Sequence, residues 1–330
     1  MIRSTLVVRR AQPFNAEAQL ATLADHVLTP NERFYVRNHF PVPRIDARRW
    51  RLTIRGLVDT PLEVSLRMLR EMRSRALAVT LECAGNGRSF FRPAIEGEPW
   101  VLGAVSTARW GGVLLSALLD RAGMRAEATH LVFRGADGAY ERGLSLDEAR
   151  GTPVLLAYSM NGDPLPAMHG GPVRLIVPGW YGVASVKWLG SVEVTDRPFA
   201  GRYQTDRYVY AKSKPVTLMR VRSLISRPED GAAVRAGIVN VRGLAWSGSG
   251  GVRRVEVSVE GGAWRPARLT APKHFAWQSW RHTVRIRSGQ TMTLRSCATD
   301  ASGETQPEHA EWNALGYGNN SIQTVTVRAG

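Results

Sequence analysis

A cysteine that leaves a buried strand and enters a turn of small residues carries the strongest chemical signal in this chain. Residues 80–88 read TLECAGNGR, so Cys83 precedes a Gly-Asn-Gly turn and Arg88 follows it. Small neighbours expose the thiol to a cavity, and nearby cations would lower its pKa toward the thiolate, which binds soft metals or attacks electrophiles. Because no adjacent His or Asp supplies a general base, the pattern favours a metal thiolate over a protease-type nucleophile, with a buried structural cysteine as the alternative.

A second group of polar residues lies in a glycine-rich segment. Residues 169–188 read HGGPVRLIVPGWYGVASVKW and include His169, Arg174, Ser185 and Lys187. Glycine lets the backbone approach a ligand closely, and cationic or hydrogen-bonding side chains suit a phosphate. A lone histidine is more often a structural residue than a ligand, and a lone arginine more often lies on the surface. Their grouping is what indicates a site for a phosphate-bearing ligand.

Short strands and helices in mixed order must position these residues. The patterns predict a strand ended by glycine over 50–56, a capped helix over 65–72 and a buried strand over 77–82. A second helix is predicted over 114–122 and a further strand over 131–133. Residues 1–45, rich in Pro and Arg, are expected to be irregular. Because helices and strands do not alternate as regular βαβ units, the sequence favours an α+β fold over a doubly wound sheet.

The pattern changes after about residue 207. Runs with period two, separated by glycine-rich turns, fall at 239–246, 252–260, 264–269, 282–286 and 292–298. Short strands at roughly ten-residue spacing predict an all-β sandwich of immunoglobulin type. With 212–215 as a connector, we predict two domains, 1–210 and 211–330. Cys297 falls on a predicted sandwich strand and is expected to be a plain core residue.

The chain is strongly basic, with 44 Lys and Arg against 28 Asp and Glu and a net charge of +16. The basic residues are 40 Arg and 4 Lys, spread along the chain without a dense block or a nucleic-acid-binding motif. This favours a solvated surface or a field that attracts small anions, and argues against nucleic acid as a partner. The two cysteines lie 214 positions apart and form no CxxC pair and no CxxCH motif for covalent haem.

Signals for a membrane or for export are weak in this sequence. The longest apolar runs, such as 114–119, fall far short of the roughly 18 residues that a membrane span requires. Arg9 and Arg10 are followed by AQPFN, where a twin-arginine leader would have an apolar region. We therefore expect a cytoplasmic protein, or a periplasmic one if a leader has been removed.

Four separated motifs occur in order along the chain. They are RNHFPVP at 37–43, CAGNGR at 83–88, HGGPVR with VKWL at 169–174 and 186–189, and AWSGSG at 245–250. Together they resemble the sulfite oxidase family of molybdopterin-dependent oxidoreductases, and the resemblance covers nearly all of the chain. It implies a molybdopterin-binding α+β domain followed by an immunoglobulin-like dimerisation domain. The haem domain of animal members is not expected here, as in haem-free bacterial members.

The resemblance also implies a role for twelve residues. Cys83 is implied to ligate the molybdenum, with Tyr208 beside the metal. Arg37, Arg88 and Trp100 are implied to line the pocket of an oxyanion substrate. The remaining positions are implied to hold the pterin and its phosphate: Asn38, His39, Asp137, His169, Arg174, Ser185 and Lys187.

The implied activity is oxidation of sulfite to sulfate, with electrons passed to a separate acceptor such as a small cytochrome. Leu315 and Gly87 depart from the family pattern, because related enzymes carry arginines there. One alternative is a molybdenum enzyme of this fold that acts on another oxo-acceptor or reduces an S- or N-oxide. Another is an anion- or nucleic-acid-binding protein on an inactive scaffold. A homodimer through the second domain is also expected, without nucleic acid or a membrane span.

Overall fold

The computed structural model describes residues 5–212 and 214–330, which form a mixed α+β part followed by an all-β part. The helices, all short and all in the first part, are α1 (Leu20–Leu23), α2 (Leu66–Glu71), α3 (Leu115–Ala122), α4 (Leu146–Arg150) and α5 (Arg202–Thr205). The strands of the first part are β1 (Leu6–Arg10), β2 (Asn15–Ala18), β3 (Arg51–Gly56), β4 (Leu62–Ser65), β5 (Arg75–Glu82), β6 (Val105–Leu114), β7 (His130–Gly135), β8 (Glu141–Ser145), β9 (Leu155–Met160), β10 (Asp163–Pro164), β11 (Arg174–Ile176), β12 (Leu189–Thr195), β13 (Val209–Ala211) and β14 (Lys214–Pro215).

Two five-stranded sheets build the first part. One has the order β10-β9-β6-β5, with β11 also paired to β9, and the other has the order β4-β3-β12-β7-β8. Strands β3 and β12 run parallel, and the other neighbours in both sheets are antiparallel. Apolar side chains from both sheets share one core, including Ile54, Phe133 and Leu156. This frame places the carboxyl end of β5 and the start of β11 beside the same cavity.

The second part is a sandwich of two sheets. Its strands are β15 (Arg222–Arg227), β16 (Ala233–Val234), β17 (Gly237–Trp246), β18 (Val252–Val259), β19 (Arg265–Pro266), β20 (Arg268–Leu269), β21 (Gln278–Ile286), β22 (Thr291–Asp300) and β23 (Thr324–Ala329). One sheet has the order β15-β17-β21-β20 and the other β16-β23-β22-β18-β19. Alternating residues from the facing sheets form a core that includes Val241, Trp280 and Leu294.

Local sequence signals explain where several elements begin and end. Ser65 caps α2, since its hydroxyl accepts a hydrogen bond from the Met68 amide at 3.2 Å, and α3 ends at Gly123, whose φ is +68°. The predicted irregularity of residues 1–45 is wrong, because β1 and β2 pair there and the side chain of Asn15 is fully buried. The period-two run at 264–269 forms two short strands on different sheets: β19 and the Ala267 amide bond to β18, and β20 then pairs with β21.

Cys297 is not the plain core residue that the strand pattern predicts. It lies on β22, where the inward positions are Met292, Leu294 and Ala298, so its side chain points to the opposite face and is partly exposed. Side chains alternate between the two faces of a strand, so an odd-numbered residue leaves the core here. Its thiol lies 3.4 Å from the carbonyl oxygen of Gln306.

The predicted boundary between residues 210 and 211 stays a prediction. Part of the expected connector, Ser213, lies outside the described residues, while Lys212 precedes the short strand β14. Within residues 5–212 and 214–330, no helix combines the length and the apolar character needed to cross a bilayer.

Candidate active site

Two adjoining cavities meet at Cys83, an inner one within the first part of the molecule and an outer one that residues of both parts line. The inner cavity and the outer cavity share four lining residues: Arg37, His39, Cys83 and Tyr208. The other predicted pterin ligands all line the inner cavity, namely Asn38, Asp137, His169, Arg174, Ser185 and Lys187. Arg88, Trp100 and Leu315 line the outer cavity. The structure therefore brings all twelve predicted residues together, and their individual roles stay predictions.

The thiol of Cys83 faces both cavities from a turn at the end of β5. Its amide donates to the carbonyl of Ala104 at 2.8 Å, and its carbonyl accepts from the Asn86 amide at 2.8 Å. Gly87 has a φ of +85°, and a Cβ there would lie 2.9 Å from the guanidinium of Arg222, so a larger residue would strain the turn. The turn therefore has one backbone course, which directs Cys83 into the cavities.

The expectation that cations lower the pKa of Cys83 is wrong for the protein alone. Burial raises the pKa of this thiol, although Arg37, the Gly85 amide and Arg88 oppose the rise. Desolvation penalises the charged thiolate more strongly than the two guanidinium groups favour it. A metal bound at the sulfur would supply the missing stabilisation by displacing the proton.

A buried ion pair joins the Cys83 turn to the second part of the molecule. The carboxylate of Glu82 accepts from Arg222 at 3.0 Å and from the Trp246 indole at 2.9 Å, and both charged side chains are at most 3% exposed. The Asn86 amide donates to the same carboxylate at 2.9 Å. Burial raises the pKa of Glu82, and Arg222 and Asn86 oppose the rise. Sequence analysis missed Glu82, Arg222 and Trp246, since their partners lie 140 or more positions apart.

The segment 313–319 of the second part closes over the same turn. The Gly318 amide donates to the carbonyl of Ala84 at 2.7 Å, and the Asn319 side chain donates to the carbonyl of Gly87 at 2.9 Å. Arg88 donates in the other direction, from Nε and Nη2 to the Leu315 carbonyl at 3.2 and 3.1 Å. Both parts of the molecule therefore build the wall around Cys83.

The two arginines predicted for the substrate pocket contact only neutral acceptors. Arg88 is buried and donates to the carbonyls of Leu315 and Glu98. Arg37 is half-buried and donates to the Asn38 carbonyl, to Asn15 Oδ1 at 3.3 Å and to His39 Nδ1 at 3.1 Å. In the described part of the chain, neither forms a salt bridge. Burial lowers the pKa of Arg37, but Tyr208, Cys83 and the carboxylate of Glu98 raise it on balance, although no carboxylate is bonded to this side chain. Cations that bond only to neutral acceptors indicate a place for an anionic ligand.

A hydrogen-bonded chain leads from Arg37 through His39 to Tyr208. A guanidinium can only donate, so Nδ1 of His39 accepts from Arg37 and the ring proton lies on Nε2. Nε2 lies 2.7 Å from Tyr208 Oη and donates to it. Burial, Arg37 and Lys187 lower the pKa of His39 to about 2, which keeps the ring neutral. Burial raises the pKa of Tyr208, so its hydroxyl keeps a proton to donate.

The inner cavity holds a second group of cations without carboxylates bonded to them. Arg174 donates to the carbonyls of His169 at 2.8 Å and Ser185 at 3.0 Å, and its buried Nε has no partner among the described residues. Lys187 donates to Asn38 Oδ1 at 2.6 Å and to the Met168 carbonyl at 2.8 Å. Burial lowers the pKa of Arg174 to about 10 and that of Lys187 well below its usual value.

His169 and Asp137 complete the predicted set in the inner cavity. Nε2 of His169 lies 3.1 Å from the Asn31 carbonyl and donates to it, and burial with Lys187 lowers its pKa to about 3. The half-buried carboxylate of Asp137 accepts from the amides of Ala139 and Tyr140, both at 3.3 Å. Sequence analysis missed several lining residues, among them Tyr35, Tyr140, Trp188, Arg202, Tyr203, Arg207 and Tyr317.

Comparisons with known proteins show which protein families this chain resembles. Residues 39–203 match the oxidoreductase molybdopterin binding domain, and residues 213–329 match the Mo-co oxidoreductase dimerisation domain. The chain is 39% identical to sulfite oxidase from Gallus gallus, over 94% of this chain and 75% of that protein. It is 36% identical to mitochondrial sulfite oxidase from Mus musculus, over 98% of this chain and 65% of that protein.

The match to a solved structure is equally extensive. The crystal structure of the sulfane dehydrogenase SoxCD from Paracoccus pantotrophus superposes with a TM-score of 0.89 and 30% identity, over 97% of this chain and 85% of that one. These matches confirm the predicted fold class, with a molybdopterin-binding domain followed by a dimerisation domain. The match of residues 213–329 to a dimerisation domain also supports the expected homodimer.

The residues around the inner cavity fit a molybdenum–pterin cofactor. A phosphate-bearing ligand would neutralise Arg174 and Lys187, whose hydrogen bonds go only to carbonyl and amide oxygens. Cys83 offers one soft sulfur ligand where the two cavities meet. In residues 5–212 and 214–330, no three His, Cys, Asp or Glu side chains converge as a metal cage. A metal here would therefore depend on the pterin for most of its ligands.

Proposed function

This chain belongs to the sulfite oxidase family of molybdopterin-dependent oxidoreductases, and on that premise we propose that it oxidises sulfite to sulfate. One observation carries the proposal: Arg37 and Arg88 flank Cys83 in the outer cavity and contact only neutral acceptors. Sulfite is a small oxyanion, so it supplies the anionic hydrogen-bond partner that Arg37 and Arg88 lack within the protein. Each charged hydrogen bond to it contributes about 1.5–3 kcal/mol.

Cofactor binding in this proposal uses the residues of the inner cavity. When bound, the molybdenum cofactor supplies an oxygen atom to the substrate and takes up two electrons. Cys83 would be the thiolate ligand, and Lys187 and Arg174 would hold the phosphate. Asn38 would act partly through Lys187, because its Oδ1 accepts a hydrogen bond from the Lys187 ammonium at 2.6 Å. Trp100, fully buried, would close the wall of the outer cavity beside the substrate.

Substrate orientation would come from the N–H groups that the two arginines do not use internally. A guanidinium has five N–H groups, and Arg88 commits three of them to the carbonyls of Leu315 and Glu98. The remaining two are available to oxygen atoms of sulfite. Because Arg88 is anchored at both ends of its planar group, its position changes little when the anion binds, which reduces the ordering cost of binding.

Tyr208 would donate a hydrogen bond beside the reacting oxygen atoms. Oxidation of sulfite with water releases two protons and two electrons, and neither Tyr208, whose pKa is raised, nor His39, whose pKa is lowered to about 2, is a base that holds such a proton. Tyr208 Oη accepts from His39 Nε2 at 2.7 Å, which leaves its own O–H to donate to an oxygen in the cavity. A neutral phenol donor can thus orient the substrate or a water molecule without adding negative charge.

The electrons would pass to a separate acceptor, and the active form would be a homodimer. The family name of the second domain supports the dimer, which sedimentation at micromolar concentration tests directly. A monomer with a mass near 36.4 kDa would contradict the assembly.

A second candidate substrate is a less anionic sulfur compound. The observation that favours it is Leu315, whose apolar side chain lines the outer cavity, and the related structure is named a sulfane dehydrogenase. Apolar lining favours a neutral or singly charged sulfur group over a small dianion. Steady-state assays with sulfite and with sulfane compounds, on the same molybdenum-loaded protein, decide between the two.

The test of the proposed function is Cys83→Ser, compared with Cys297→Ser as a matched control. The readouts are molybdenum content and sulfite-dependent reduction of ferricyanide. We expect the first variant to fold but to lose turnover, since only the soft ligand is removed, and the control to keep its specific activity. A Cys83→Ser protein that retains more than about a tenth of the wild-type rate, a barrier change under about 1.4 kcal/mol, contradicts the ligand assignment.

A further inference from the structure

Two arginines at the entrance of the outer cavity have no role in the chemistry above. Arg202 and Arg207, here called the rim pair, both line the outer cavity, and both are exposed. Across the described part of the chain, neither side chain has a hydrogen bond or an ion pair. Asp206 lies between them in sequence, but its carboxylate accepts from the Thr205 hydroxyl at 2.8 Å. The rim pair thus presents two uncompensated charges.

The turn that carries the rim pair is held in place by the rest of the molecule. The Arg207 amide donates to the Arg202 carbonyl at 2.9 Å, which fixes the spacing of the two residues. The carbonyl of Tyr203 accepts from Arg142, a fully buried side chain that also donates to the Val216 carbonyl at 2.7 Å. Because the backbone is anchored, less conformational freedom is lost when a ligand binds to this turn.

The rim pair acts on the same space as the inner arginines. The charged residues that line the outer cavity are Arg10, Arg37, Arg88, Arg202, Arg207, Glu96 and Glu98. Glu98 lies 2.8 Å from Arg10, so that pair compensates itself. Arg37, Arg207 and Arg202 all help to lower the pKa of His39, which places them within electrostatic reach of one point. Apart from the pair of Arg10 and Glu98, four arginines and one exposed carboxylate, that of Glu96, line the cavity, so positive charge is in excess there.

We propose that the rim pair is a capture site for small oxyanions that enter the outer cavity. This inference rests on the proposed function, which it deepens by naming the group that admits the substrate. Exposed guanidinium groups with all their N–H groups free can bind an oxyanion in a bidentate manner and raise its local concentration. Arg37 and Arg88, which use several N–H groups internally, would then orient the anion beside Cys83.

The test compares two double variants that remove the same charge. Arg202→Gln/Arg207→Gln removes the rim pair, and Arg235→Gln/Arg268→Gln removes two exposed arginines of the second part. Calorimetry measures binding of sulfate, the unreactive product, to the molybdenum-loaded protein at about 20 mM and about 0.5 M salt. We expect the rim variant to bind sulfate about tenfold more weakly at low salt, with the difference shrinking at high salt, and the control to stay within about twofold.

Rapid mixing with sulfite, without an electron acceptor, provides the second readout. We expect the second-order rate constant for reduction of the rim variant to fall about tenfold at low salt, with an unchanged limiting rate at saturation. Equal effects in both double variants would overturn the proposal, as would a loss independent of salt. A defect seen only when a protein acceptor reoxidises the enzyme would also overturn it, because it would assign the rim pair to acceptor docking.

Failure of the proposed function is distinguishable from failure of this inference. If the loaded protein does not oxidise sulfite, but the rim variant still shows the salt-dependent loss of sulfate binding, oxyanion capture stands and the sulfite assignment falls. If sulfite is oxidised normally and the two double variants bind sulfate equally, the capture site is wrong and the proposed function stands.

Discussion

Two buried arginines, Arg222 and Arg174, have nearly equal exposure but opposite surroundings. Arg222 is 2% exposed and donates to the carboxylate of Glu82 at 3.0 Å, at the junction of the two parts of the molecule. Arg174 is 4% exposed and donates only to two backbone carbonyls at the inner cavity. Burial lowers the pKa of Arg174 to about 10, which shows that its charge is stabilised less than in water.

The difference separates charges that hold the fold from charges that await a ligand. A buried cation with a carboxylate is satisfied within the chain, so its removal leaves the carboxylate stranded. A buried cation with only neutral acceptors costs free energy in the empty protein and recovers it when an anion binds. Substitution of a cation of the first kind should therefore lower the stability of the fold, and substitution of one of the second kind should weaken ligand binding.

The largest effect should come from Arg222→Met. This change leaves Glu82 as an unpaired buried carboxylate beside Cys83 and should lower the free energy of unfolding by about 3–5 kcal/mol. Urea unfolding of the wild-type protein and the variant measures the difference. The double variant Glu82→Gln/Arg222→Met removes both charges and should recover most of the loss. If the single and double variants are equally destabilised, packing rather than charge explains Arg222.

Arg174→Met should give the opposite result. In the empty protein, the removal of a poorly stabilised cation offsets the loss of two hydrogen bonds, so the free energy of unfolding should change by less than about 1 kcal/mol. Binding of the cofactor should weaken by about 1.5–3 kcal/mol, the value of a charged hydrogen bond to phosphate. Molybdenum and pterin content after gel filtration, beside urea unfolding, measures both. A variant that retains the cofactor fully would contradict the ligand role.

Arg37→Gln extends the comparison to the substrate. It should raise the KM for sulfite tenfold or more, since about 1.5–3 kcal/mol of charged hydrogen bonding is lost. The exposed Arg44, seven residues further along, supplies a control as Arg44→Gln, with an expected KM within about twofold of wild type. Steady-state kinetics on preparations matched for molybdenum content gives the values. An equal rise in both variants would indicate a long-range effect of net charge instead.

Local sequence patterns singled out the Cys83 turn and the segment from His169 to Lys187, whereas the other predicted residues around the cavities came only from the resemblance to the family. Cys83, His169 and Lys187 each lie in glycine-rich turns, where the local sequence limits the backbone to few conformations. Glu82 and Arg222 could not be paired in advance, because their contact joins segments 140 positions apart and no local pattern specifies it. A charged residue inside an otherwise apolar strand was the one available signal for Glu82.

The fold was predictable where one periodicity dominates and not where tertiary contacts decide. The period-two runs located β17, β18, β21 and β22. Strand β15 was missed because five of its six residues are buried, so no alternation marks it, and β23 was missed although its burial alternates. The same alternation misled the interpretation of Cys297, since a strand pattern without its register does not say which face is inside.

The smallest predicted effect is a pH dependence that reports on the charges near His169. The pKa of His169 is about 3 in the folded protein and about 6.5 in the unfolded chain, because burial, Lys187 and Arg174 disfavour the charged ring. The unfolded chain therefore binds more protons, so the stability present above pH 6.5 is lost as the pH falls toward 3. Between pH 7.5 and pH 5.5 the free energy of unfolding of the cofactor-free protein should fall by about 1.4 kcal/mol more than that of a His169→Gln variant, as measured by urea unfolding.

A phosphate bound between Arg174 and Lys187 would offset their charges and raise the pKa of the His169 ring, so the cofactor-loaded protein should lose less stability over the same pH interval. Equal losses in the empty and loaded proteins would mean that the anion lies elsewhere, and the contrast between Arg222 and Arg174 would then reflect packing alone.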